Sequence, residues 1–131
     1  MQTEINTIET KNAAPAGGHY VQATAYNGQI FISGQLPVKA DGGHTNTETF
    51  EVQTRQALNN LLEILKAAGS NPSQLLKVTV YIVGVKNWPV FNHIYAEMLG
   101  TAKPARSVVP VPELHYGYLI EIDAIAAIPI I

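Results

Sequence analysis

Arg106, Glu121 and Asp123 are charged side chains with apolar neighbours in the most apolar stretch of the sequence, residues 103–123. Arg106 is followed closely by two valines, and Glu121 and Asp123 alternate with isoleucines. A charge removed from water is costly unless it has a partner. The residues therefore predict either a structural ion pair between Arg106 and Glu121 or a site in which the guanidinium binds a ligand carboxylate. Spacing alone favours the ion pair.

A strand over residues 118–128 would place both acids on one face. Period-two geometry puts Leu119, Glu121, Asp123 and Ile125 on that face and leaves the opposite face wholly apolar. A face with two acids on an edge strand is as often simply solvated as functional. Tyr20, which follows two glycines and His19, is also ambiguous, because strand tyrosines usually pack and hydrogen-bond nearby.

The sequence has no motif typical of a metal site, a catalytic nucleophile or a nucleotide-binding site. The histidines, His19, His44, His93 and His115, show no metal-ligand spacing, so no metal is expected. There is no cysteine, and Ser33 does not lie in a nucleophile elbow. The sequence contains neither the glycine-rich motif that binds dinucleotides nor the Walker loop that binds nucleoside triphosphates.

Composition narrows the class of protein further. The 131 residues suit one domain, 1–131. Net charge is -2 with eight Lys and Arg, which favours neither nucleic acid nor an anionic membrane as a partner. Only 14% of residues are charged, so we expect apolar surface to be covered in a homo-oligomer. The N-terminal residues resemble neither a signal peptide nor a membrane span, and a cytoplasmic location is expected.

Turn and strand signals dominate the first third of the chain. An edge strand is predicted over 2–9 and a loop over 11–18. Strands over 20–26 and 29–33 flank Asn27-Gly28, the dipeptide that suits a type I′ hairpin. A second loop is predicted over 34–45.

Helical spacing then begins at Thr47 or Thr49 and continues to Ala68. Its predicted apolar stripe consists of Val52, Leu58, Leu61, Leu62, Leu65 and Ala68. A central strand is predicted over 77–85 because both of its faces are largely apolar. A second helix runs from an Asn87 cap to Gly100 and buries Trp88, Phe91, Ile94, Tyr95 and Met98.

Two last strands, over 106–111 and 118–128, complete an α+β layout with the order β, β, β, α, β, α, β, β. Two helices can cover one face of such a sheet. The other face is expected to pack against sister subunits.

The chain resembles the Rid family, also called YjgF or L-PSP, in a set of short motifs that occur in the same order along the sequence. The resemblance covers residues 13–126 and rests on Ala-Pro-Ala and Gly-His-Tyr at 14–20, Ile-Ser-Gly-Gln-Leu-Pro at 32–37, Gln-Thr-Arg-Gln-Ala-Leu-Asn-Asn-Leu at 53–61, Ala-Ala-Gly at 67–69, Val-Thr-Val-Tyr at 78–81, Asn-His-Ile-Tyr at 92–95, Pro-Ala-Arg-Ser at 104–107 and Ile-Glu-Ile-Asp-Ala-Ile-Ala at 120–126. It implies a chorismate-mutase-like fold and a homotrimer with a central β-barrel and ligand pockets between subunits.

The resemblance also implies a reaction, the hydrolysis of enamines and imines such as 2-aminoacrylate to 2-oxo acids and ammonia, without cofactor. The implied site residues are Arg106 for the substrate carboxylate, Glu121 for the attacking water, and Tyr20, Ser33, Gly34 and Asn92 for substrate binding. Two alternatives stay open: a non-catalytic trimer that binds small carboxylates, and an endoribonuclease, which the acidic balance disfavours.

The chain departs from the family pattern at His19, at Val108 and in the loop over residues 112–118. His115, Tyr116 and Tyr118 of that loop either line an altered pocket rim or are surface aromatics. We expect this loop to decide which substrate is used, and Asp123 to be structural.

Overall fold

The computed structural model describes residues 4–130, which form one mixed sheet with two long helices against one face. Three short 3₁₀ turns accompany the main elements. These elements are β1 (Asn6–Ile8), β2 (Ala23–Tyr26), β3 (Gln29–Gln35), α1 (Phe50–Ala67), β4 (Leu75–Ile82), α2 (Trp88–Leu99), β5 (Ala105–Pro110) and β6 (Ile120–Ala127). The predicted order of elements is confirmed.

The strands lie in the order β1-β2-β3-β6-β4-β5, and β4 with β5 is the parallel pair, joined through α2. The predicted central strand is therefore confirmed as an interior strand, although it starts and ends earlier than expected. β1 is confirmed as an edge strand, while Gln2 and Thr3 lie outside the described residues.

The hairpin between β2 and β3 turns at Asn27 and Gly28, whose φ angles are 51° and 80°. Both positive values are required by a type I′ turn, so the predicted hairpin is confirmed.

Tyr20 does not lie in a strand, as the sequence analysis expected, because β2 begins only at Ala23. Its N–H donates to the carbonyl of Gly18 at 2.9 Å, and its hydroxyl accepts from the N–H of Gly17 at 3.1 Å. These local bonds to the two glycines fold the chain into a tight turn and leave Tyr20 half exposed in the loop.

Helix α1 is capped by Thr49, whose side chain accepts from the N–H of Val52, and Gly69 (φ 82°) follows its end. The predicted burial of Val52 is wrong, since this side chain is 43% exposed. The buried stripe instead includes the polar residues Gln53 and Asn60. Apolar periodicity could not predict the burial of these polar side chains, because it depends on their hydrogen bonds to loop segments.

These two polar side chains fix segments near the candidate site. Asn60 donates to the carbonyls of Leu36 and Val38 at 3.2 and 2.8 Å. Gln53 accepts from the N–H of Leu119 at 2.9 Å. The first of these segments leads away from β3, and the second leads into β6.

Helix α2 buries Phe91, Ile94, Tyr95 and Leu99, and Gly100 (φ 62°) ends it. Trp88 and Met98 are only half buried against the core. Asn87 does not cap the helix with its side chain, which donates instead to the carbonyl of Val83 at 2.9 Å.

The face of the sheet opposite the helices carries half-buried and exposed side chains. It includes Phe31 (42% exposed), Thr79, Tyr81, Glu121 and Asp123. The alternation predicted for β6 is confirmed, since its other face is buried along its whole length. Within residues 4–130 there is no helix long and apolar enough to cross a bilayer.

Candidate functional site

Glu121 contributes to the wall of a cavity of about 380 Å³. The cavity lies between β6, the loop that carries Tyr20 and the segment that follows β3, and it also contacts Gly34. Its apolar lining includes Leu36 and Val38, whose carbonyls are held by Asn60. Three of the site residues that the sequence analysis implies, Tyr20, Gly34 and Glu121, are thus brought together.

Glu121 and Gly34 come close where the pairing of β3 with β6 is irregular, near the end of β3. The register between β3 and β6 shifts between Ile32 and Gln35. Bulges re-aim side chains and are common beside functional sites. A Cβ atom at Gly34 would lie 2.8 Å from Oε2 of Glu121, a distance that real Cβ contacts do not reach. Glycine at position 34 therefore makes room for the carboxylate.

Ser33 and Tyr20 border a shallower depression together with Gly34 and Glu121. The hydroxyl of Ser33 donates to the carbonyl of Val21 at 2.7 Å, and its N–H donates to the carbonyl of Gln22 at 2.9 Å. Ser33 therefore ties β3 to the chain that leads from Tyr20 into β2.

Burial raises the pKa of Glu121, and the nearby charge of Asp123 raises it further, whereas His115 lowers it. The pKa of Asp123 is also raised by burial, with opposing effects from Lys77 and from a hydrogen bond to Tyr81. A carboxylate with a raised pKa is a stronger base, which is a property that general-base catalysis uses.

The loop over residues 112–118 folds against His44. The ring centroid of Tyr116 lies 3.8 Å from that of His115 and 4.6 Å from that of His44. Asn46 donates to the carbonyl of Tyr116 at 3.0 Å. His115 and Tyr116 line the cavity beside Glu121, as one of the two alternatives in the sequence analysis proposed.

Tyr118 has a different position, since it is almost fully buried and does not line that cavity. Its hydroxyl accepts from the N–H of Thr45 at 3.1 Å and lies 2.7 Å from Nδ1 of His44. Tyr118 thereby anchors the two loops to each other. The sequence analysis missed His44 as a cavity residue, because its partner is 74 positions away and no local spacing connects them.

Arg106 lies away from the cavity on the edge strand β5. Its guanidinium donates to Oδ1 of Asn92 at 3.0 Å and lies 5.5 and 5.1 Å from the ring centroids of Phe91 and Tyr95. A cation over aromatic faces is stabilised by the ring quadrupole. Arg106 and Asn92 are both exposed and form a second group of the implied site residues.

The ion pair between Arg106 and Glu121 that spacing favoured is not formed. Arg106 is in register with Val78, which points into the core, whereas Glu121 is in register with Tyr81 on the opposite face of the sheet. Within residues 4–130 the ion pairs are those of Arg55 with Glu51 and Glu97. The sequence placed Arg106 and Glu121 in strands but could not show that β4 separates these strands, or that their registers on β4 put the two side chains on opposite faces.

The part of the chain that the structure describes contains no group of three or more His, Asp or Glu side chains arranged to hold a metal ion.

Comparison with known proteins gives a consistent result. Residues 10–128 match the model of the family described as Endoribonuclease L-PSP. A RutC family protein of Pyrococcus horikoshii is 41% identical over 91% of this chain and 94% of its own. Reactive Intermediate Deaminase A, chloroplastic, of Arabidopsis thaliana is 36% identical over 92% of this chain and 65% of its own.

Solved structures agree with the sequence matches. YyfA from Yersinia pestis, described as a protein of unknown function of the conserved Rid protein family, superposes with a TM-score of 0.89 at 42% identity, covering 95% of this chain and 99% of that one. TdcF of E. coli with bound serine superposes with a TM-score of 0.88 at 33% identity, covering 93% of this chain and 98% of that one.

Proposed function

This chain belongs to the Endoribonuclease L-PSP family, which includes the Rid proteins, and from that membership we propose that it hydrolyses enamines and imines of 2-amino acids. The products are a 2-oxo acid and ammonia. The proposal takes its general direction from the relative named Reactive Intermediate Deaminase A, and its residues from this chain's own geometry.

The observation that carries the proposal is the position of Glu121. Its carboxylate is half buried in a cavity wall against the Gly34 backbone, and its pKa is raised chiefly by burial. A carboxylate in such surroundings is suited to accept a proton from a water molecule. An imine carbon beside it is already electrophilic, so the reaction requires no metal or organic cofactor.

Arg106 is proposed to bind the substrate carboxylate with its two-pronged guanidinium. Because it lies on the other face of the sheet from Glu121, the two groups of residues would meet only where two copies of the chain adjoin. We therefore propose a homotrimer in which Arg106 and Asn92 of one copy face Tyr20, Ser33, Gly34 and Glu121 of the next. The uncovered sheet face with Phe31 and Tyr81 is available for the same assembly.

The proposed reaction begins when the enamine tautomerises to the imine. Water then attacks the C=N carbon while Glu121 takes one proton from the water. The carbon–oxygen bond forms as the C=N electron pair moves to nitrogen, which receives that proton. When the carbinolamine collapses, its hydroxyl proton passes to the amino nitrogen through Glu121, the carbon–nitrogen bond breaks, ammonia leaves and the carbon–oxygen bond becomes a carbonyl. One water is consumed for each ammonia released.

A second function is favoured by one observation. The TdcF structure is described with bound serine, a small amino acid with a carboxylate, and this chain also presents an exposed guanidinium without an ion-pair partner within residues 4–130. A trimer that binds small carboxylates without turnover is therefore the alternative. The net charge of -2 argues against RNA as a substrate.

The test measures the decay of 2-aminoacrylate that a serine dehydratase generates. Wild type is expected to accelerate decay, and Glu121→Gln and Arg106→Ala each to lower the rate by about 10²-fold or more. Arg55→Ala is the control, because Arg55 is a solvent-exposed arginine outside both groups of site residues. Equal decay with wild type and Arg106→Ala would contradict the deaminase.

Two further measurements distinguish the deaminase from the carboxylate-binding protein and from the endoribonuclease. Binding of a 2-oxo acid without acceleration of decay would favour the carboxylate-binding protein. Salt-sensitive cleavage of RNA would favour the endoribonuclease. Sedimentation at micromolar concentration is expected to give three times the chain mass of 14.2 kDa, and a monomer would contradict the composite site.

A further inference from the structure

The cavity beside Glu121 is larger than a three-carbon substrate needs. Resting on the proposed function, we propose that this cavity receives the side chain of the substrate and that the preferred substrates are imines of 2-amino acids with an uncharged aromatic side chain. Three features support this substrate class: the size of the cavity, its charge and the rings at its mouth.

The first feature is size. A cavity of about 380 Å³ lies within the range of small-molecule sites, roughly 300–1,000 Å³. The reacting centre of 2-aminoacrylate, with its carboxylate directed to Arg106 of another copy, would occupy only the end of the cavity at Glu121. The remaining space is walled by apolar groups of Ala14, Pro15 and Leu36. A larger apolar side chain would gain free energy by displacing water from this wall.

The second feature is charge. Among the residues lining the cavity, Glu121 is the only carboxylate, and none is Lys or Arg. A substrate with an acidic side chain would be repelled by Glu121. A substrate with a basic side chain would pair with Glu121 and weaken the base that the reaction requires. The lining therefore selects an uncharged side chain.

The third feature is the group of rings formed by His44, His115 and Tyr116, which we call the aromatic rim. The ring centroids of His115 and His44 lie 3.8 and 4.6 Å from the ring centroid of Tyr116, and the ring planes are tilted. Tyr116 has a φ of 61°, a conformation unfavourable for a bulky residue. The hydrogen bond from Asn46 and the buried Tyr118 hold it there.

A tyrosine held in a costly backbone conformation at the mouth of a cavity is positioned for contact rather than for packing, since its side chain is 51% exposed. Offset or edge-to-face contacts between aromatic rings strengthen an interaction by roughly two- to tenfold beyond the burial of area. An aliphatic side chain of similar size would gain the burial without that contact. The rim thus favours the aromatic side chain over the aliphatic one.

The experiment compares imines formed in situ by an L-amino-acid oxidase from phenylalanine, leucine and alanine, with semicarbazide as the competing trap. For wild type, kcat/KM is expected to decrease from phenylalanine imine to leucine imine to alanine imine, with about tenfold or more between the first and the last. Tyr116→Ala should lower the phenylalanine-to-alanine ratio about fivefold, and Tyr116→Phe should retain it.

Tyr26→Ala serves as the matched control, because Tyr26 is similarly exposed but lies in the hairpin outside the cavity. Hydrolysis of all three imines at equal efficiency, or a preference for leucine or alanine imine, would overturn the inference while leaving the deaminase intact. Hydrolysis of none of them, with 2-aminoacrylate also unaffected, would overturn the proposed function itself. An unchanged ratio in Tyr116→Ala would remove the aromatic rim from the specificity.

Discussion

Glu121 and Arg106 are both charged residues in strands, yet the fold treats them in opposite ways. Glu121 is half buried on the open face of the interior strand β6, and its pKa is raised by burial. Arg106 is exposed on the edge strand β5, where Asn92 and two aromatic rings hold it from the helix side. In the proposed site, Glu121 and Arg106 thus belong to two halves that lie apart within one chain.

The two halves differ in the chemical group that they provide, a carboxylate base in one and a guanidinium in the other. The Glu121 half provides a cavity, open to solvent, beside a carboxylate that desolvation makes a stronger base. The Arg106 half provides a solvent-facing guanidinium that is pre-positioned and carries no ion pair within residues 4–130. Since the sheet separates them, we propose that the two halves act on one substrate across a contact between copies.

The largest expected effect comes from mixing the two halves between chains. Arg106→Ala and Glu121→Gln are each expected to be inactive, whereas a 1:1 mixture refolded together should recover about a quarter of wild-type activity. The fraction follows because half of the copies supply Arg106, half of their neighbours supply Glu121, and assembly in a symmetric trimer is random.

The control mixes each variant with itself under the same refolding procedure, and imine hydrolysis is the measurement. If the site were completed within one chain, the mixed sample would remain inactive, and the separation of the two halves would be wrong.

A smaller effect is expected from the platform under Arg106. Tyr95→Leu removes one of its two aromatic faces and should raise KM about fivefold with little change in kcat, because a cation–π contact contributes about 1 kcal/mol. Tyr95→Phe keeps the ring and should leave KM unchanged. Steady-state kinetics with 2-aminoacrylate measure both.

Tyr95→Phe also tests the buried hydroxyl, which has no hydrogen-bond partner within residues 4–130. Its removal should raise the free energy of unfolding by about 1 kcal/mol, because an unsatisfied buried polar group is costly. A loss of stability, measured by urea unfolding, would show that the assembled protein supplies a partner.

For the aromatic platform under Arg106, a KM for Tyr95→Leu equal to that of wild type would show that this ring does not contribute to the function of Arg106.

The smallest effect concerns pH. The proposed mechanism requires ionised Glu121, so kcat/KM should rise with pH through the pKa of this residue, which is raised above its ordinary value of 4.5. Asp123→Asn removes a nearby negative charge that raises this pKa, so the acid limb of the pH profile should move to lower pH. His115→Ala should move the limb to higher pH, because His115 lowers the pKa.

A pH–rate profile from pH 4 to 8 would measure these shifts, with Glu63→Asn as a control on the surface of α1. Movement of the limb in the same direction by both variants would contradict the assignment of the limb to Glu121.

Local signals predicted most of the elements. Asn27-Gly28 determines its hairpin because only a few residues tolerate two successive positive φ angles. Thr49 and Gly69 bound α1 through backbone geometry at the ends of one helix. The alternation in β6 identified the open face correctly, since every second side chain must point the same way.

Other features could not be predicted because their partners are far away in sequence. Gln53 is buried in α1 because it binds Leu119, and Tyr118 is buried because it binds His44 and Thr45. Tyr20 is a different case, because its partner Gly17 is only three residues away but the hydrogen bond between them depends on the path of the loop. In each case a specific polar contact decided the outcome, whereas apolar periodicity carries no information about it.

By itself, the sequence determined the family, the order of the elements and the identity of the charged residues, because these follow from residue types at fixed spacing. Only the tertiary structure decided that Glu121 and Arg106 face away from each other, and that His44 joins Tyr116 at the mouth of a cavity. For the two charged residues, the physical reason is the register of β5 and β6 on the intervening strand β4. Strand order and register, which set the face of each side chain, arise from contacts between distant segments.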